Sequence, residues 1–238
     1  MEISKTADQA LVLLLRIADL GAQTPVELAR ATGMNRTVVH RLLATLQGRG
    51  FVLKRGDRYA LGAALMRMAG QFEPELRSVA RGVMADLSDR LRETLVLAVR
   101  EDDQVVIVEQ VAGSQHLVRV QYELGYRHPI TLGASGLALL AFLGEPEREA
   151  LVARAEEPER IARRLAEVRA LGYAVTHDEL RVGAYGLAVP VRDGDGSVVA
   201  SLAVIVPTTR TPGFTDHAHP LAESAERITK LLVGAVGV

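Results

Sequence analysis

The side chains best placed to do chemistry lie near the start of the chain, in the stretch 35–50, NRTVVHRLLATLQGRG. At about 100° per residue, Arg36, Thr37, His40 and Arg41 fall on one side of a helix. Val38, Val39, Leu42, Leu43 and Leu46 fall on the other and form an apolar stripe. Arginine and hydroxyl donors in the first turns of an exposed helix can reach guanine edges in a major groove and grip phosphates. Asn35 carries the side-chain oxygen that caps such a helix. Taken alone, the same pattern describes any solvated helix face.

Other residues invite chemical readings. Leu132–Gly136 puts two glycines and two small residues at the start of an apolar helix, where free amides favour an anion. Close packing of that helix on a sheet would require the same residues. Ser135 lacks the G-x-S-x-G elbow of a nucleophile and has no His/Asp partner placed by the sequence, so a hydrolase is not expected. Asp193, Asp195 and Ser197 imitate the start of a calcium loop. The twelfth position is Val204 rather than Glu, so an ordinary hairpin turn is expected. His217 and His219 form an H-x-H pair without an evident third ligand, and His116, His128 and His177 are scattered. No cysteine is present, which excludes disulfides, thiolate zinc sites and thiol catalysis. Neither a metal nor a cofactor is expected, and no acid/base pair marks an enzyme.

Several elements must hold the first group in place. Thr24-Pro25-Val26-Glu27 fits a capping box with proline at the first helical position. The helix it opens, PVELARAT, ends at Gly33, and about two residues lead into the Asn35 helix. That is a helix-turn-helix. FVLKRGDRYALG follows as two short strands around 54–58, a hairpin wing carrying Arg55 and Arg58. From Arg30 to Arg58 there are seven basic residues and one acid, Asp57, the electrostatic footprint of phosphate binding. Upstream, KTADQALVLLLRIADL is a helix expected to pack Leu11, Leu14, Leu15 and Ala18 behind the unit. Its wide apolar face suits either a fully buried helix or an added dimer surface.

The 238 residues leave room for two modest domains with real cores. Residues 1–60 carry a net charge of +4 and the remainder −5. The expected domains are a winged helix-turn-helix over 1–62, a linker region over 63–75, and an α+β domain over 76–238. The last has roughly six strands, among them TLVLAVRE, QVVIVEQVAG, LVRVQYELG, YAVTH, GLAVPVRD and SVVASLAVIVP, and a closing helix from about Thr215 to Val233. No secretory pattern opens the chain and no apolar run of about 18 residues occurs, so a cytoplasmic, non-membrane protein is expected.

The order of these parts resembles the IclR family of bacterial transcription regulators over nearly the whole chain. Three blocks carry the likeness: VELARATGMNRTVVHRLLATLQGRGFV, HPITLGASGLALLAFLG and LGYAVTHDELRVGAYGLAVPVRDGDGSVVASLAVIVPTTRTPGF. The resemblance implies a winged helix-turn-helix joined through a linker helix to a GAF-like effector-binding domain. It further implies a homodimer or tetramer on a palindromic double-stranded operator, a small organic acid or aromatic effector, and no enzymatic activity. It makes Asn35, Arg36, Thr37, His40 and Arg41, with Arg55 and Arg58 of the wing, the DNA contacts. It makes Leu95, Leu97, Tyr122, Ala134, Ser135, Thr176, Gly186, Ala203 and Ile205 the lining of the effector pocket.

The chain departs from the family pattern inside that pocket. Cysteine is common at the position of Gly186, and serine at those of Ala203 and Ile205 in carboxylate sensors. Losing those anchors predicts an effector less polar than glyoxylate-like acids, with one carboxylate on the amides of Ala134 and Ser135 and an apolar body. The rival expectations are an effector-independent DNA-binding oligomer and, further off, a small-molecule enzyme.

Overall fold

The structure, a computed structural model, describes residues 3–113, 116, 118–210 and 213–236. The chain divides into two compact units, Met1–Pro74 and Glu75–Val238. The stretch 63–75, expected as a linker, falls almost entirely in the first unit, where it forms a short helix, α4 (Ala64–Ala69), and the turn after it.

The first unit opens with α1 (Lys5–Leu20), α2 (Pro25–Thr32) and α3 (Arg36–Gly48). The capping box of α2 is complete. Thr24 accepts from the amide of Glu27, and Glu27 accepts from the amide of Thr24. Gly33 ends α2 at φ +69, a left-handed turn that a residue with a side chain takes only at a cost. Strands β1 (Val52–Arg55) and β2 (Arg58–Leu61) pair antiparallel around Gly56 and Asp57. Gln23 exchanges two backbone hydrogen bonds with Tyr59, tying the wing to the residues before α2. The core joins Leu13 and Ile17 of α1, Leu28 of α2, Val39, Leu42, Leu43 and Leu46 of α3, and Val52 and Tyr59 of the wing.

The expected core face of α1 is corrected. Leu13 and Ile17 are buried and Leu14 partly so, whereas Leu11 and Leu15 are 59% and 63% exposed and Ala18 is exposed too. The helix is apolar on two sides, and composition alone does not say which side finds the core.

In the second unit, α5 (Pro74–Leu91) is followed by an antiparallel sheet of six strands in the order β5-β4-β3-β8-β7-β6. These are β3 (Thr94–Glu101), β4 (Gln104–Val111), β5 (Arg127–Pro129), β6 (Ala174–His177), β7 (Ala184–Arg192) and β8 (Val198–Pro207). Helices α6 (Gly133–Leu140), α7 (Glu145–Val152) and α8 (Pro158–Leu171) contribute to the core on one face. The other face is covered by α5 and by α9 (Ala218–Val236), which follows a short 3-10 turn at Phe214–His217. The strand expected over LVRVQYELG is absent from its described part, 118–125. Val120 and Tyr122 are buried in alternation, but the backbone takes other partners: the Gln110 side chain accepts from the amide of Tyr122, and the carbonyl of Ile107 from that of Gly125.

The sheet face under α6 is built from small residues: Ala98, Ala184, Ala188 and Ala203, with Gly186 among them. Gly136 of α6 is held so tightly that a Cβ there would lie 2.4 Å from the carbonyl oxygen of Ile130. The helix therefore approaches the neighbouring backbone closely, and its first turn stands at the edge of a cavity between helix and sheet.

Candidate functional site

Two places gather the expected residues. The first is the outer face of α3. Arg36, Thr37, His40 and Arg41 are all exposed, and no carboxylate lies within ion-pairing distance of the two arginines among the described residues. Thr37, His40, Arg41 and Ala44 occupy the middle of the exposed arc, Arg36 and Thr45 its edges. The sequence reading did not single out Ala44. A methyl at the centre of such a face lets the helix backbone come close to whatever it meets. Asn35 is engaged in capping: its Oδ1 accepts from the amide of Thr37 at 2.9 Å.

The wing arginines differ. Arg55 is exposed and has no ion-pair partner among the described residues. Arg58 turns back onto its own unit. Its guanidinium donates to both carboxylate oxygens of Glu27, at 3.1 and 3.2 Å, and to the carbonyl of Ala22 at 2.9 Å. Hydrogen bonds from Thr24, with help from Arg58, hold the Glu27 carboxyl below the usual carboxylate range. Arg58 therefore ties the wing to α2 and has little free charge to offer.

The second place is the cavity beside α6, whose volume of about 20 Å³ is room for roughly one water molecule. Of the expected lining, Tyr122, Ala134, Ser135, Thr176, Gly186 and Ile205 border it. Ala203 shares their face of the sheet but does not reach the cavity. Leu95 and Leu97 are a correction, because both point to the opposite face, among the side chains of α5 and α9. Alternation along β3 gives Val96 to the cavity in their place.

The rest of the lining was not anticipated. Burial of His128 (3% exposed) lowers its imidazole pKa below the ordinary histidine value, and its Nδ1 lies 3.0 Å from the Pro129 carbonyl. Burial raises the Tyr122 hydroxyl, against the pull of Arg181. The turn from Asp178 to Gly183 leans over the cavity. Glu179 accepts from the amide of Gly133 at 2.9 Å and from Arg164 at 2.6 Å. Leu180 packs where a side chain on Gly133 would stand, and Arg181 sits over the Tyr122 ring at 5.2 Å. The chain's own carboxylate thus meets the first amide of α6, while the amides of Ala134 and Ser135 have no protein acceptor among the described residues. A charged cluster in the turn after β6 was the available signal in the sequence, but nothing in its spacing aimed it at α6.

The remaining candidates have structural uses. Asp193 and Asp195 accept from amides of their own hairpin turn. His217 lies edge-on to Phe214, and His219 pairs with Glu223. Among the described residues no three His, Asp or Glu side chains converge as a metal site, and no helix is long and apolar enough to cross a membrane.

Comparison with known proteins agrees with this division of the chain. The family model for the IclR helix-turn-helix domain matches residues 6–56, and that for the bacterial transcriptional regulator IclR C-terminal domain matches 72–230. The HTH-type transcriptional regulator KipR of Bacillus subtilis is 27% identical over 215 residues, 84% of this chain and 85% of that protein. The crystal structure of the Thermotoga maritima IclR superposes with a TM-score of 0.80 at 26% identity, covering 96% of this chain and 98% of that one. An IclR homologue from Microbacterium hydrocarbonoxydans, solved in complex with 4-hydroxybenzoate, superposes with a TM-score of 0.79 at 27% identity, covering 94% and 98%.

Proposed function

The chain belongs to the IclR family of DNA-binding bacterial transcriptional regulators, and from that premise we propose that it is a homodimer whose grip on a palindromic operator is set by a small effector bound beside α6. It does no chemistry on that effector. The observation that carries the reading is the outer face of α3, where Arg36, Thr37, His40 and Arg41 stand exposed beside a wing, with both arginines free of acidic partners. Thr37, His40 and Arg41 read base edges, and the methyl of Ala44, exposed on the same face, is the apolar contact for a thymine methyl. Arg36 at the rim and Arg55 on the wing hold phosphates. Asn35 contributes as the cap that sets the helix start, and Arg58 as the tie that sets the wing.

A palindrome needs two copies about one DNA turn, ~34 Å, apart. The stripe of Leu11, Leu15 and Ala18 on α1 is the surface for the second copy. It is apolar, exposed and continuous along one helix face. The effector is an organic acid or aromatic compound, a reading supported by the relative solved with 4-hydroxybenzoate and by the cavity lining. It acts only by binding unequally to dimer arrangements that differ in operator affinity.

The DNA reading is tested with Arg41→Ala, measured on operator and on random DNA across a salt series. Loss of a base contact lowers operator affinity by about 1–3 kcal/mol and relaxes discrimination at one base pair. An unchanged affinity on both DNAs would remove the α3 face from the interface.

A further inference from the structure

Resting on the effector reading of the cavity, we propose that Arg181 selects the effector: it is the charge partner of a monocarboxylate with a small apolar or aromatic body, carried to it by the Asp178–Gly183 turn. Of the four hydroxyl-bearing side chains that border the cavity, Tyr122, Ser135 and Thr176 are more than nine-tenths buried and Tyr185 is partly so. None of the first three hydroxyls makes a hydrogen bond among the described residues. Each of these residues is buried, but its hydroxyl oxygen is not sealed from solvent, which leaves it a donor and acceptor for water or for a polar group of an effector.

The charges around the cavity decide the sign of that group. Glu179 is the one carboxylate in the lining, and it is already answered by Arg164 and by the amide of Gly133. Burial keeps His128 toward its neutral form. Arg181 has no carboxylate in ion-pairing reach among the described residues, so once Glu179 is matched by Arg164 outside the lining, one positive charge is left unpaired at the cavity. A guanidinium over an aromatic ring keeps its edge donors free, and those donors match a carboxylate in a bidentate pair. The ring of Tyr122 therefore steadies Arg181 without using its donors.

Position and size fit the same picture. The present cavity holds about one water, so an acid enters only if Leu180 lifts from Gly133. The turn that carries Leu180 carries Arg181 next to it, followed by the exposed Val182. Opening and charge pairing are thereby linked in adjacent residues.

The test compares acids with their neutral amides: 4-hydroxybenzoate, benzoate and butyrate against 4-hydroxybenzamide, benzamide and butyramide. Thermal melts and titration calorimetry are run on the full chain. At least one acid is expected to raise the melting temperature more than its amide does. Arg181→Gln is expected to weaken that acid roughly 10- to 100-fold, the loss of a charge-assisted pair. Arg181→Lys should recover part of it, and Arg163→Gln, a charge-matched change elsewhere, should not weaken it. The melt without ligand shows whether Arg181→Gln is folded; if it is not, Arg181→Lys against the wild type carries the comparison. Acids and amides that bind equally, or an Arg181→Gln protein that binds the acid like the wild type, would overturn the role of Arg181 and leave the effector reading standing. A panel that shifts nothing overturns both.

Discussion

His128, the middle residue of β5, is buried, which disfavours its charged form, and His217 is held down by burial in the same way, against the pull of Glu93 and Asp216. A histidine whose pKa is depressed by folding adds no penalty above its unfolded value, near 6.5, and destabilises the fold as pH drops below it, because the unfolded chain then binds the extra proton. The melting temperature is therefore expected to be flat above about pH 7 and to fall between pH 6.5 and 5.5. His128→Gln should flatten that fall. The carboxylates held low, on Glu27, Glu147 and Asp195, lose their contribution only at more acid pH, so they do not blur the window. A melt series in which the wild type and His128→Gln run parallel from pH 7.5 to 5.5 would refute the assignment. His128 also shows what the sequence hid at this scale. A lone histidine beside a proline carries no pattern, and only the fold brings it to a cavity. Leu95 and Leu97 failed for a related reason. β3 is buried on both faces, so TLVLAVRE has no polar alternation to mark which side faces α6.

At the scale of elements, the stretches with a chemical signature at each end were legible. The capping box, Gly33 and the cap on Asn35 located both ends of α2 and the start of α3 to the residue, and strand pairs with short polar turns located β1 with β2, β3 with β4 and β7 with β8. Elements defined by tertiary partners were not. The segment 118–125 has the alternation of a strand but is anchored by a side chain, Gln110, so it never joins a ladder. In α1, periodicity found the helix and missed its phase, because Leu11, Leu15 and Ala18 form a second apolar stripe outside the core. That stripe makes a prediction of its own. Leu15→Asp places a charge at its centre while Leu13 and Ile17 stay in the core, so the unit should still melt cooperatively. Sedimentation should show the dimer dissociation constant raised tenfold or more, the cost of burying an unpaired carboxylate in an apolar contact. Operator binding should weaken with it, since two half-sites need two copies. A Leu15→Asp protein that remains a dimer at micromolar concentration would move the dimer surface elsewhere.

For the molecule as a whole, a net charge of −1 conceals a +4 segment over residues 1–60 and −5 over the rest, so overall charge says nothing of how the chain meets a polyanion. What counts is the set of cations without internal partners. Arg30, Arg36, Arg41, Arg49 and Arg55 are all exposed without an ion-pair partner among the described residues; on the proposed dimer each protomer is expected to use Arg36 and Arg55 on phosphates, and Arg41 on a base or a phosphate. Counterion release contributes about −0.9 per neutralised phosphate to the slope of log K against log salt. A dimer should therefore show a slope of about −4 with two contacts per protomer and about −5 with three. Arg55→Ala, altering both protomers, should flatten the slope by roughly 2 units. Arg58→Ala is the discriminating control. Its charge is already answered by Glu27, so it should lower the melting temperature of the first unit by loosening the wing from α2 while leaving the slope almost unchanged. If Arg58→Ala flattens the slope as much as Arg55→Ala does, then Arg58 leaves Glu27 for the DNA backbone, and the wing holds phosphates through both arginines.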